Sequence, residues 1–129
     1  MNLARKLATG AMAVGLTAAG LFTATPADAA SGGGCDHETY GMSACISAGG
    51  NQVLPDFYIT ILPNYCTSVR FSLVDVTANK TLWSTGVKCA DMHGGPWHIN
   101  ATAGHAYMSE LTMYGSDMPI TSHSPISYW

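Results

Sequence analysis

Short segments in which apolar and polar residues alternate run through most of this chain, and turn-forming residues separate them. In one segment Val69, Phe71 and Leu73 alternate with polar neighbours, so a strand would turn all three side chains to one face. Another, residues 57–62, follows Pro55, which lacks the N–H that a sheet ladder needs. Segments of this kind, with turn signals about every 8–12 residues, predict an all-β fold. The prediction is a single antiparallel β-sandwich of about seven strands.

The N-terminal residues have the three parts of a secretory signal peptide rather than the pattern of this fold. Arg5 and Lys6 form a short positive start, and an apolar run follows them. Pro26 ends that run, and residues 27–29 supply the small-x-small pattern that signal peptidase cleaves. The run also resembles the export signals of actinobacteria, which implies a small bacterial protein secreted to the extracellular space.

Three parts of the chain are predicted on this basis. Residues 1–29 are the secretory signal peptide, residues 30–41 a flexible N-terminal segment, and residues 42–129 the β-sandwich domain. After cleavage of the signal we expect no association with a membrane.

Four cysteines follow the predicted signal: Cys35, Cys45, Cys66 and Cys89. An even number in a short exported chain predicts a disulfide framework, for which three connectivities are possible. We favour the sequential pairing, because Cys35 with Cys45 closes a glycine-containing loop and Cys66 with Cys89 joins the start of one predicted strand to the end of another. Their spacings contain no CxxC pair, so a zinc site is not expected.

The charge of the chain excludes one class of partner. The chain has 5 Lys and Arg against 8 Asp and Glu, a formal net charge of −3. No cluster of basic residues follows the signal, so nucleic acid is not expected as a partner. No motif indicates a cofactor.

One stretch resembles a corner of a known family of sandwiches. Residues 99–107, followed by alternating residues through Tyr114, resemble the E–F corner of fibronectin type III and related immunoglobulin-like domains. Residues 122–125 are similar to the run into the last strand of those domains. The resemblance implies an immunoglobulin-like sandwich in which the hydroxyl of Tyr107 forms a hydrogen bond with an upstream backbone group.

Catalytic and metal sites are the less favoured interpretations of the polar residues. No GxSxG elbow is present, and no spacing joins a nucleophile to His and Asp, so we do not expect an enzyme. Asp91, His93 and His98 lie near one predicted loop, and such ligands suit copper or zinc. We favour ordinary surface histidines and predict no metal, with these three residues as the candidate ligands if a metal binds.

The aromatic residues are the better indication of function. Among them, Tyr65, Tyr114, Tyr128 and Trp129 are the candidates for exposure, with packing of Trp129 against the edge of the sandwich as the alternative. Exposed aromatic rings bind both sugars and protein partners. The favoured hypothesis is therefore a secreted, non-enzymatic module, expected to be monomeric, that recognises a protein or glycan.

Two alternatives remain open: a proteinaceous inhibitor of a secreted hydrolase and a small exported metal-binding protein. The layout is similar to that of microbial α-amylase inhibitors, which are small exported sandwiches with two sequential disulfides. Their Trp-Arg-Tyr triplet is absent here, because Val69 and Phe71 flank Arg70.

Overall fold

The computed structural model describes residues 31–61, 63–116 and 118–129, so the predicted signal peptide lies outside the described residues. The described part contains strands and no helix. The strands are β1 (Ser31–Gly32), β2 (Gly34–Cys35), β3 (Met42–Gly49), β4 (Gln52–Ile59), β5 (Ser68–Asp75), β6 (Lys80–Val87), β7 (His93–Gly94), β8 (Ile99–Asn100), β9 (Ala106–Tyr114), β10 (Ile120–His123) and β11 (Ser127–Tyr128).

The strands form two antiparallel sheets. The first has the order β1-β11-β9-β5-β6, and β10 also pairs with β9. The second has the order β2-β3-β4-β7, and β8 also pairs with β4. The predicted all-β class and two-sheet antiparallel architecture are confirmed. About seven strands were expected, whereas the described residues form six strands of four or more residues and five of two residues.

The alternating residues of β5 and β4 build the core between the sheets. Val69, Phe71 and Leu73 are all buried, as the alternation predicts. From the second sheet Phe57 packs against Phe71, with ring centroids 5.2 Å apart. Val69, Phe57 and Phe71 belong to the larger core cluster, whose other members are also apolar and come from both sheets: Met42, Ala44, Ile59, Leu111 and Met113.

The two lateral sides of the sandwich are closed in different ways. On the side of β6 and β7, the indoles of Trp83 and Trp97 lie with ring centroids 4.9 Å apart and pack against the core. On the side of β3 and β10, buried serines cover the backbone of β3. Ser122 Oγ accepts a hydrogen bond from the Ala44 N–H (3.0 Å), and Ser109 Oγ donates to the Cys45 carbonyl (2.7 Å). Ser122 thereby gives the Ala44 N–H a partner, and the buried hydroxyl of Ser109 is itself satisfied by the Cys45 carbonyl.

The start of the described chain is tied to both sheets, which differs from the flexible segment predicted over 30–41. β1 pairs with β11 in the first sheet, and β2 pairs with β3 in the second. The chain crosses between the sheets through Gly32, Gly33 and Gly34, which all have positive φ. A Cβ on Gly33 would lie 2.8 Å from the Ile46 carbonyl oxygen. The glycines that suggested a tether are therefore needed for a tight crossing.

Both disulfides have the sequential pairing. Cys35 is bonded to Cys45, its direct partner across β2 and β3. Cys66 is bonded to Cys89, which joins the residues just before β5 to those just after β6. The described residues contain no free cysteine. Two disulfides indicate an oxidising, extracellular-type environment. Within the described residues, no helix is long and apolar enough to span a membrane.

Replacing Phe71 by Ala tests the importance of the contact between the sheets. We expect the free energy of unfolding to fall by about 3–5 kcal/mol, because the change leaves a cavity against Phe57 and Trp97. Urea unfolding followed by tryptophan fluorescence measures this loss. Leu82→Ala, on an exposed side chain of β6, is the control and should change stability by about 0.5 kcal/mol or less. Equal losses in both variants would contradict this description of the core.

Candidate functional site

One end of the sandwich carries four of the connections between strands. These connections follow β2, β4, β6 and β9. The strand ends beside them lie together, since Met42, Ile59, Val69 and Met113 belong to one core cluster. We call this end, with its four connections, the loop end. The opposite end contains the β3–β4 turn, the β5–β6 turn, the residues before β9 and the C-terminus.

Large apolar side chains are exposed mainly at the loop end. Ten such side chains are exposed among the described residues, and seven of them are at this end. Met118, Tyr40 and Ile61 are the most exposed, at 85%, 71% and 63%. We call the seven together the loop-end surface: Tyr40, Tyr58, Ile61, Tyr65, Met92, Tyr114 and Met118. The remaining three, Val76, Leu82 and Tyr128, lie towards the opposite end.

A close backbone approach brings two of these residues together. The N–H of Thr60 donates to the Gly41 carbonyl (2.8 Å), and Gly41 has φ +77°. A Cβ on Gly41 would lie 2.6 Å from the Cβ of Ile61. Only glycine therefore fits at position 41. Because Ile61 packs directly against Gly41, it lies close to Tyr40, the residue before this glycine.

Tyr58 forms a flat part of the loop-end surface. It lies on the outer face of β4, where it pairs across the sheet with His93 of β7. The two rings are stacked, with centroids 4.5 Å apart and an interplanar angle of 20°. Asp56 Oδ2 lies 3.8 Å from Nε2 of the same histidine. An aromatic face is thus next to a carboxylate and an imidazole that can form hydrogen bonds with a ligand.

The structure separates the four aromatic residues that the sequence predicted as a binding set. Tyr65 and Tyr114 meet at the loop end, where the Thr67 N–H donates to the Tyr114 carbonyl (2.9 Å). A Cβ on Gly115 would lie 2.7 Å from the ring of Tyr65, so this glycine allows the two segments to pack. Tyr128 and Trp129 lie at the opposite end. Trp129 is partly buried and packs edge-on against Tyr107, with centroids 5.4 Å apart.

Sequence reasoning missed several members of the loop-end surface: Tyr40, Tyr58, Ile61, Met92 and Met118. One signal could have indicated Tyr58, because it lies between Phe57 and Ile59 in an alternating segment and so faces away from the core. The other four lie in loops or next to strand ends, where no periodicity reports their exposure.

The three candidate metal ligands are not brought together. Asp91 Oδ2 accepts a hydrogen bond from the Lys88 N–H (3.0 Å), and His93 stacks on Tyr58. His98 lies next to β8, nearer the opposite end, with Nδ1 3.0 Å from Gln52 Oε1. Across the ranges that the structure describes, no group of three or more His, Cys, Asp and Glu side chains could hold a metal ion.

The opposite end uses its polar groups for internal contacts. The hydroxyl of Tyr107 accepts a hydrogen bond from the Thr102 N–H (2.7 Å), a contact of the kind that the resemblance to immunoglobulin-like corners implies. Asp75 is buried and accepts hydrogen bonds from the Ala78 N–H (2.9 Å) and, if Nδ1 carries the proton, from His105 (2.6 Å). The N–H of Trp129 donates to the His105 carbonyl. These contacts fasten the β5–β6 turn and the C-terminus to the start of β9.

The environment of Asp75 lowers its pKa. Burial raises the pKa of this carboxyl, but hydrogen bonds from the Ala78 N–H and from His105, with the charge of His105, outweigh the burial. The ionised form is therefore stabilised in the folded protein.

No protein-family model, curated protein or solved structure matches this chain.

Replacing Asp75 by Asn tests its place in the fold. Because the pKa of Asp75 is lower in the folded protein than its ordinary value of 3.8, its ionised form adds stability above that value, which is lost as the pH falls below it. We expect Asp75→Asn to lower the free energy of unfolding at pH 7 by about 1–3 kcal/mol and to flatten its fall in acid. Urea unfolding as a function of pH measures both effects. Asp91→Asn, at an exposed turn, is the control, and equal effects in the two variants would contradict the assignment.

Proposed function

We propose that this protein is a secreted, non-enzymatic module that binds an extracellular protein or glycan through the loop-end surface. The observation that carries the proposal is the placement of seven large exposed apolar side chains at one end of a disulfide-bonded sandwich. The sandwich is the scaffold, and the protein acts as a monomer.

The clustering of these side chains is what supports binding. Single exposed apolar residues are ordinary in soluble proteins, since much of any protein surface is apolar. Seven of the ten large apolar side chains exposed among the described residues lie at one end, however, and exposed apolar side chains gathered in one region mark sites that bind a partner. Tyrosine and methionine are also enriched in the buried centres of protein interfaces.

The composition of the surface suits both kinds of ligand. Four of its seven members are tyrosines, which combine a flat apolar ring with a hydroxyl that can form hydrogen bonds. The stacked pair of Tyr58 and His93 presents such a ring beside the Asp56 carboxylate. A ring next to hydrogen-bonding groups can hold a sugar or a protein side chain.

The rigid scaffold supports a binding role for the four connections of the loop end. The larger core cluster fixes the strand ends beside the loop end, and the Cys66–Cys89 disulfide joins two of its connections. Binding residues on loops are most effective when a rigid framework positions the loops. In the variable domains of antibodies, which belong to the family that residues 99–107 resemble, the loops of one end form the binding surface.

Secretion follows from the N-terminal sequence and agrees with the disulfides. Residues 1–29 have the charge, apolar run and cleavage pattern of an export signal. Both disulfides are of the kind that forms outside the reducing cytosol.

Capture of partners on the processed protein, which lacks the predicted signal peptide (residues 1–29), tests the proposal. The protein is immobilised and exposed to the cell wall fraction and the culture supernatant of its producer, and retained material is identified. We expect a saturable partner whose Kd rises by about tenfold or more in the double variant Tyr58→Ser with Ile61→Ser, because truncating central apolar contacts costs more than 1 kcal/mol each.

The control is the double variant Leu82→Ser with Tyr128→Ser, which removes similar exposed apolar area away from the loop end. It should retain the partner with unchanged affinity. Equal losses in both double variants, or none in either, would overturn the assignment of binding to the loop-end surface. Inhibition of a secreted hydrolase as the only measurable effect would favour the inhibitor alternative instead.

A further inference from the structure

A groove of about 350 Å³ lies on the outer face of the first sheet, beside the loop end. Arg70 of β5 lines it, directly opposite Gly86 of β6. Tyr114 of β9 closes it at the loop end, where it pairs with Ser68. Ser84 of β6 also lines it. The groove therefore combines one cation, hydroxyl groups and one aromatic ring.

The depth of the groove beside Arg70 comes from the missing side chain of Gly86. A Cβ at this position would meet no atom within 4 Å, and the φ of Gly86 is not positive. Neither the backbone nor the packing of β6 therefore requires glycine here. Any other residue would place its side chain next to the guanidinium and fill the space.

The guanidinium of Arg70 has no ionic partner among the described residues. The acid on the same face, Glu110, is paired with His123 at 3.3 Å. Arg70 is also the single arginine of the described part of the chain, in a protein of net charge −3. Its five N–H donors are available to a ligand from solution, and a planar fork of donors matches a carboxylate.

From these groups we propose that the groove binds an acidic saccharide, with a uronate carboxylate on Arg70. The two N–H donors of the fork bind the carboxylate oxygens, and the hydroxyls of Ser68 and Ser84 bind ring hydroxyls. The half-exposed ring of Tyr114 offers an apolar face to the sugar ring. The volume is at the low end for ligand sites, which suits one or two sugar rings. The proposal rests on the proposed function, because Tyr114 belongs to both surfaces.

An acidic peptide fits the groove less well. A peptide strand would add to the sheet at the free edge of β6, and neighbouring strands lie about 4.8 Å apart. Such a strand would lie about 10 Å from β5, outside the groove rather than in it. The groove instead runs across β6, β5 and β9, so a compact ring ligand covers it better.

Isothermal titration of the processed protein with defined probes tests this proposal. The probes are digalacturonic acid, its neutral dimethyl ester and an acidic tetrapeptide. We expect digalacturonic acid to bind with an affinity that falls as salt is raised. The ester and the peptide should bind at least tenfold more weakly.

Two variants separate the charge from the shape of the groove. Arg70→Gln should weaken binding of digalacturonic acid about tenfold to hundredfold, because a charge-assisted pair is lost. Gly86→Val should block the groove and weaken binding similarly, while the melting temperature shows that the fold is intact. Lys80→Gln, at the far end of β6, is the control and should bind as the unaltered protein does.

Three results would overturn the proposal: equal binding of the ester, equal or tighter binding of the peptide, or unchanged binding in Arg70→Gln. The double variant Tyr58→Ser with Ile61→Ser distinguishes the two proposals. This variant should lose its macromolecular partner but bind digalacturonic acid normally. If the unaltered protein captures a partner but does not bind digalacturonic acid, only the groove proposal is overturned. If it binds digalacturonic acid but captures no partner, only the assignment of the loop-end surface is overturned.

Discussion

The contact between Phe57 and Phe71 holds the two sheets together, and the arrangement of the loop end depends on it. The ring centroids lie 5.2 Å apart within the larger core cluster. Trp97 stacks on Phe57 and lies tilted against Phe71. That cluster includes the ends of β3, β4, β5 and β9 that lead into the loop end. Because these strand ends are fixed by packing, the connections beyond them have defined starting points. The exposed side chains of the loop-end surface are therefore presented by a rigid base.

The two ends of the sandwich use similar residue types for different purposes. At the opposite end, the hydroxyl of Tyr107, the carboxylate of Asp75 and the imidazole of His105 are all engaged in internal hydrogen bonds. Trp129 covers Tyr107 and completes the smaller core cluster. At the loop end, the tyrosines project from the surface and the exposed methionines lie in loops. This asymmetry is the basis for assigning binding to the loop end, since the opposite end, apart from the exposed Tyr128, uses these aromatic and polar groups for internal contacts.

The sequence predicts those features of the structure that a short-range pattern of residues determines. Alternation at Val69, Phe71 and Leu73 is local, and it correctly identifies a strand and its buried face. Pro55 shows the limit of such reasoning, because it lies inside β4 rather than before a strand. The carbonyl of Pro55 accepts a hydrogen bond from the Trp97 N–H, and the N and the C=O of a strand residue point to the same side. The missing N–H therefore faces the gap between β7 and β8, and the β3–β4 ladder loses no hydrogen bond. Exposure at Ile61 and burial at Trp129 depend on which distant segments meet, which no local pattern reports.

Hydrogen–deuterium exchange on the protein without residues 1–29, free and saturated with its captured partner, locates the surface that binds. We expect slower exchange on binding in the amides of the loop end, in particular residues 37–41, 60–61 and 90–93. The turn at 76–79 and the residues at 102–105 should exchange at unchanged rates. Protection confined to the opposite end, with the loop end unaffected, would contradict the account.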